Sequence, residues 1–248
     1  MRSKRSSHGR SASRVRGLQI DAPTARRSEL GFSLLEIALV MLAIGILFAS
    51  VLSGRELITQ AEIKSVVTEL NSVFAAYHTY GDRYGVAPGD DSRATQRWVS
   101  TLARNGNGDG RISGTYEVAA PAAANLASFA IDSSQGESLN FWWHMRLAEL
   151  VAPATAGQSI AAQPQNAFGG LVGVQMDGAG LSGFTLCESD LPAKVAEAVD
   201  AQLDDMNPQT GLLRAAEQTE RWQPLATATP AARYDAGGSS RYIVCRSR

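Results

Sequence analysis

Residues 31–52 read GFSLLEIALVMLAIGILFASVL, and the interpretation of this stretch decides the fold. From Phe32 to Leu52 the run is apolar apart from one charge, Glu36. As a helix rising about 1.5 Å per residue it is roughly 31 Å long, enough to cross a bilayer core of about 30 Å. A cleaved secretory signal has a shorter apolar run and a small-residue cleavage site after it, and Ser50 and Ser53 give only a poor version of that site. Residues 32–53 therefore read as a retained anchor, with membrane lipid as its first partner.

Charge orients the anchor. Residues 1–31 hold eight of the chain's 23 basic residues (Arg2, Lys4, Arg5, Arg10, Arg14, Arg16, Arg26 and Arg27) and two of its 24 acidic ones, Asp21 and Glu29. The remaining residues keep 15 basic and 22 acidic side chains, so a leader of +6 precedes a body of −7, a split hidden by the overall net charge of −1. The positive-inside asymmetry places residues 1–31 in the cytoplasm and everything after about Gly54 across the membrane. The leader is Ser-rich without an apolar run, so it cannot offset its own ordering entropy and is expected to be disordered. Glu36 needs separate explanation, because an acid within the hydrocarbon costs about 2.5–3.5 kcal/mol on insertion scales. It is either tolerated near the interface or functional.

Gly31-Phe32-Ser33-Leu34-Leu35-Glu36, opening an apolar helix after a basic leader, resembles the cleavage and N-methylation motif of type IV prepilins and pseudopilins. The resemblance implies that a prepilin peptidase cuts between Gly31 and Phe32 and methylates the new amine of Phe32. It also implies that Glu36 attracts the Phe32 amine of a neighbouring subunit during assembly. Opposite charges about 4 Å apart in a low-dielectric bundle each offset the other's burial. The leader is long, as in the family's type IVb branch. Because it would be removed, the resemblance argues against nucleic acid as a partner. The implied partners are the peptidase, other pilin or pseudopilin subunits and an inner-membrane assembly platform.

Helical periodicity continues beyond the anchor through Leu57, Ala61, Ile63, Val66, Val67, Leu70, Val73, Phe74 and Tyr77, with no proline before Pro88. One helix from about Ser33 to Tyr80 is expected, with residues 54–80 as an amphipathic stalk and residues 81–248 as a globular head. Within the head, residues 136–151 suggest a short helix with Trp142 and Trp143 in the core. Residues 171–176 and 183–188 suggest a hairpin, and Leu191, Val195, Val199 and Leu203 suggest another helix with Pro192 in its first turn. Residues 241–246 read as a final strand. The expected class is α+β: a long N-terminal helix on a small antiparallel sheet. Tyr80 to Asp91, Phe141 to Met145 and Asp204 to Gly211 are similar to a tyrosine-and-PGD pattern in a subset of prepilin-like proteins.

Asn105-Gly106-Asn107-Gly108-Asp109-Gly110-Arg111-Ile112 matches the first half of an EF-hand-type calcium loop, with oxygens at alternate positions and glycine at the sharp turn. The bidentate acid falls one place late, at Glu117. The ligand set would be Asn105, Asn107, Asp109, the Arg111 carbonyl and Glu117; a Gly/Asn turn that needs no metal gives the same pattern. Calcium in the heads of some pseudopilins supports the metal reading by analogy. Asp200, Asp204 and Asp205 form a weaker acidic cluster that also reads as a solvated helix end. Cys187 and Cys245, the only cysteines, both follow the anchor, in the oxidising compartment, and are either free buried thiols or a disulfide. Closing a loop of about 59 residues stabilises a fold by up to about 4 kcal/mol in the chain-entropy model. The three histidines lack metal-ligand spacing and no hydrolase, zincin or P-loop motif occurs, so no enzyme is expected. The alternative to a pilin-like subunit is a signal-anchored periplasmic protein that binds calcium or another ligand and does not polymerise.

Overall fold

The computed structural model describes residues 31–98, 104–117, 136–154, 161–220 and 223–248. The expected leader, residues 1–31, lies outside the described residues except for Gly31. The chain divides into two compact units, Met1–Ala49 and Ser50–Arg248.

Helix α1 runs from Leu34 to Tyr84, one turn further than the periodicity predicts. Its start follows from local chemistry. Ser33 sits just ahead of the first turn, its hydroxyl accepting the Leu35 N–H at 3.3 Å while its carbonyl accepts from Ile37 at 3.2 Å. Glu36 falls three residues after this capping serine, where an acid complements the helix dipole. Through residue 51 the described side chains are exposed, Phe32, Leu34 and Phe48 at 77%, 90% and 68%. The helix is long and apolar enough to cross a membrane, with a mean hydropathy of 2.6 over its most apolar window.

In the second unit α1 changes character. Ile63, Val66, Leu70, Val73, Ala76 and Tyr80 are buried at three- and four-residue spacing, forming one stripe in the core. Leu57 and Ile58 remain 71% and 60% exposed, so packing begins a turn and a half later than the apolar pattern does. The stripe meets helix α3 (Glu137–Leu147), helix α4 (Ala193–Leu203) and one face of a five-stranded antiparallel sheet. A four-residue helix α2 (Ala94–Arg97) lies between α1 and α3 in sequence.

The strands are β1 (Val172–Gly178), β2 (Leu181–Pro192), β3 (Leu213–Gln218), β4 (Thr229–Pro230) and β5 (Arg241–Ser247), in the order β1-β2-β5-β3-β4. The β1–β2 hairpin turns at Ala179 and Gly180, both with positive φ, the backbone of the tight turns that match strand twist. Alternation sorts the side chains. Val172, Val174, Leu186, Tyr242 and Val244 join the helix-side core, while Cys187, Ile243 and Cys245 join Tyr116 and Leu181 in a second cluster. Trp142 and Trp143 are fully buried, as core packing requires. The α+β class and the helix-on-sheet arrangement are those expected, whereas β3 and β4 had no counterpart in the sequence reading.

Candidate functional site

Two regions carry the predicted site residues. In the first unit, Gly31 and Phe32 precede the helix and are exposed, and Glu36 lies exposed in its first turn. All three are accessible at the start of a single apolar helix.

The second region is built at the C-terminal end of α1. Tyr80 is fully buried, and its hydroxyl donates to Asp91 Oδ2 at 2.9 Å. Arg97 of α2 grips the same carboxylate with two bonds, 2.8 and 3.1 Å, and the Arg93 N–H adds a third donor at 2.9 Å. Burial alone would raise Asp91, but the hydrogen bonds from Arg97, Arg93 and Tyr80 outweigh it and hold the carboxyl below its ordinary value. The Arg97 guanidinium also lies 5.0 Å above the Tyr84 ring.

Next to this pair the chain folds back on α3. The Gly89 N–H donates to His144 Nδ1 at 2.9 Å, and His144 Nε2 faces the Arg104 carbonyl at 2.7 Å. That pairing assigns a neutral imidazole with its proton on Nε2. Burial lowers the histidine's pKa, in keeping with the neutral form. Gly89 has φ +93°, and a Cβ there would stand 2.6 Å from the Glu137 carbonyl, so only glycine fits.

The Asn105–Ile112 loop wraps around an acid that the sequence reading did not select. Asp90 is buried and accepts the N–H groups of Gly108, Asp109 and Gly110 at 2.6, 3.1 and 2.8 Å, an anion-holding nest of backbone donors. Glu137, also buried, accepts from Asn107 and Ser113 at 2.7 and 2.8 Å. Of the predicted ligands, Asn105 turns its Oδ1 to the Thr95 N–H at 2.9 Å, and Asn107 bonds Asp109. Arg111 pairs its guanidinium with Asp177, and Glu117 lines a separate cleft with Gln175 and Asp177. The carboxylates that converge are Asp90, Asp109 and Glu137, with oxygens within 4.8 Å of one another. Asp109 alone belongs to the predicted set. Asp90 carries a faint sequence signal, an acid directly after Pro88-Gly89; Glu137 carries none, since an acid in a first helical turn is ordinary.

Two of the three stretches of the tyrosine-and-PGD pattern meet here, through Tyr80, Gly89 and Asp91 on one side and His144 on the other. The third forms its own turn, where the Leu213 N–H donates to Asp204 and the Thr210 hydroxyl to Asp205. Asp200 is not a solvated helix end: it is buried and accepts from the Tyr234 hydroxyl at 2.6 Å and the Met206 N–H at 3.1 Å. Burial pushes its pKa up.

Cys187 and Cys245 are direct cross-strand partners on β2 and β5 and form a disulfide. The sheet register places their Cα atoms 4.0 Å apart, so the bond staples β2 to β5, the central strand.

The chain matches no known protein family, and neither the curated proteins nor the solved structures yield a match.

Proposed function

We propose that the chain is a pilin-like structural subunit, processed between Gly31 and Phe32 by a prepilin peptidase and assembled into a type IV pilus or a type II secretion pseudopilus. The observation that carries this reading is one continuous helix, α1, which begins on the Gly31-to-Glu36 motif, runs through an apolar segment long enough to span a membrane and continues into the core of an antiparallel-sheet domain. The apolar segment holds the subunit in the inner membrane, N-terminus cytoplasmic and head periplasmic, until an assembly platform extracts it. The disulfide suits an oxidising periplasm. Its work is structural rather than catalytic.

Calcium belongs to the same proposal. The donor set that fits it is Asp90, Asp109 and Glu137, hard oxygens of which two are buried. A divalent cation there would relieve the mutual repulsion of the three carboxylates, while the backbone donors hold Asp90 and Glu137 in place.

Mass analysis of the N-terminus of the protein purified from its host membrane tests the reading. A mature chain starting at methylated Phe32 is expected. An intact leader would favour a signal-anchored periplasmic binding protein that does not polymerise.

A further inference from the structure

The loop that wraps Asp90 contains Asn105-Gly106-Asn107-Gly108-Asp109-Gly110, three consecutive pairs in which a side-chain carbonyl precedes a glycine. In such a pair the glycine nitrogen can attack the side-chain carbonyl carbon of the residue before it, because glycine has no side chain to shield that nitrogen. Asparagine is thermolabile for this reason. The structure holds all three nitrogens. The Gly108 N–H donates to Asp90 Oδ1 at 2.6 Å and the Gly110 N–H to Asp90 Oδ2 at 2.8 Å, while the Gly106 N–H donates to the Asp91 carbonyl at 3.0 Å.

The two asparagines are not held alike. Asn105 Oδ1 accepts from the Thr95 N–H of α2 at 2.9 Å, and Gly106 is half-buried against the Asp90 backbone, so both of its reacting groups are tied to other elements. Asn107 and Gly108 are exposed to water. Asn107 Oδ1 accepts from the Asp109 N–H at 2.8 Å and its Nδ2 donates to Asp109 Oδ2 at 3.0 Å, both within the loop. What ties this pair to the rest of the fold is the single hydrogen on the Gly108 nitrogen, which points at Asp90. Removing that proton would create an anion beside a carboxylate, and the negative charge of Asp90 opposes it. Asp90 is itself buried and fixed by three backbone donors.

We propose that Asn107 is a site of spontaneous deamidation and that Asp90 is its gate. While the gate is closed the amide stays intact; when the loop opens, the Gly108 nitrogen loses its proton to water and attacks Asn107 Cγ. The N–Cγ bond forms, the Cγ–Nδ2 bond breaks, and Nδ2 takes up a proton and leaves as ammonia. Water then opens the succinimide ring at either carbonyl, giving aspartate or isoaspartate with no oxidant or reductant. The change is one-way for the fold. An amide that donates to Asp109 Oδ2 becomes a carboxylate that repels it, and a fourth negative charge joins Asp90, Asp109 and Glu137. Modification therefore records how often the loop has opened and loosens the loop that it records.

The test incubates the full chain in detergent micelles with chelator, in warm buffer near neutral pH, folded and in denaturing urea, beside the variants Asp90→Ala and Asp90→Asn. Peptide mass mapping and isoaspartyl methyltransferase labelling follow Asn105 and Asn107 separately. In the folded native chain Asn107 is expected to deamidate at least tenfold more slowly than in urea, since only the open fraction reacts. Asp90→Ala should accelerate Asn107 at least fivefold while Asn105, tied to Asp91 and Thr95, keeps its rate. Asp90→Asn, which keeps one accepting oxygen, should fall between. Equal rates at Asn107 in the folded and denatured native chain, no deamidation of Asn107 in urea, or an unchanged or slower rate in a folded Asp90 variant would each overturn the proposal. Equal acceleration of both asparagines would overturn it too, by showing a general loosening. Circular dichroism establishes that the variants fold. If neither does, the native chain in sub-denaturing urea decides: Asn107 must accelerate before Asn105, and a simultaneous onset removes the gate.

Discussion

Glu188 of β2 is fully buried, close enough to Glu69 of α1 for the charge of Glu69 to bear on it. Burial raises Glu188 far above 4.5, with the charge of Glu69 adding to the effect, and burial pushes Glu69 up to about 7. In the folded head both acids keep protons that the unfolded chain releases above about pH 4.5. Stability is therefore greatest below that pH and is lost as pH rises through about 7. Stability should therefore decline steadily between pH 4.5 and 8. Urea denaturation across this range should show the decline in the native chain and a shallower one in Glu188→Gln, which carries no charge to bury. Parallel pH profiles of the two proteins would refute the assignment.

Asp91 predicts the opposite slope. Its carboxyl is held below its ordinary value, so its contribution is complete above about pH 3.8 and is lost as pH falls through the depressed folded value. Asp91→Ala would leave Arg97, only partly exposed, and the buried Tyr80 hydroxyl without their partner, at a cost of about 3 kcal/mol. Chemical denaturation at pH 7 measures that loss, and a change below about 0.5 kcal/mol would place the pair among ordinary surface ion pairs.

The parts of the fold legible in the sequence are those written in local pattern. Helix α1 follows from an uninterrupted apolar run and its continuing period, and the β1–β2 hairpin from two apolar runs around Asp177-Gly178-Ala179-Gly180. Strand β3, Leu-Arg-Ala-Ala-Glu-Gln, has weak strand propensity and exists because β5 pairs along its whole length. The exposure of Leu57 was equally invisible, since periodicity shows which face is apolar but not where the covering domain begins. The loop site was legible only in part for a related reason. Glycine and asparagine announced a turn around oxygens, but Asp90 and Glu137 reach it from distant positions, through contacts set by the tertiary fold.

Calcium supplies a third prediction. If the ion bridges Asp90, Asp109 and Glu137, millimolar calcium should raise the melting temperature of the full chain in detergent by several degrees and chelator should reverse it, because a ligand confined to the folded state stabilises by mass action. Asp109→Asn is the informative variant. Asp109 is exposed, so its loss leaves the core intact while removing one of three charges, and the calcium shift should shrink. An unchanged melting temperature in the native chain would mean that the backbone donors on Asp90 and Glu137 alone account for the loop.

Glu36 offers the sharpest test of assembly, because its position admits two roles with different chemistry. As an acid in the first turn of α1 it favours the helix dipole, an effect of about 0.3–1 kcal/mol that a neutral amide would lose with little consequence. As the partner of a neighbouring subunit's Phe32 amine it needs its charge, since the two groups make each other's burial in the apolar bundle affordable. Glu36→Gln preserves size and hydrogen bonding and removes only the charge. Glu36→Val removes the cost of inserting an acid as well, so membrane insertion should be unimpaired or improved in both. Fractionation should therefore find both variants in the inner membrane, cleaved before Phe32, yet absent or at least tenfold depleted in sheared filaments or in cross-linked subunit ladders. Normal incorporation of Glu36→Gln would reduce Glu36 to a helix-start residue and leave assembly to packing of the apolar surface from Leu34 to Val51.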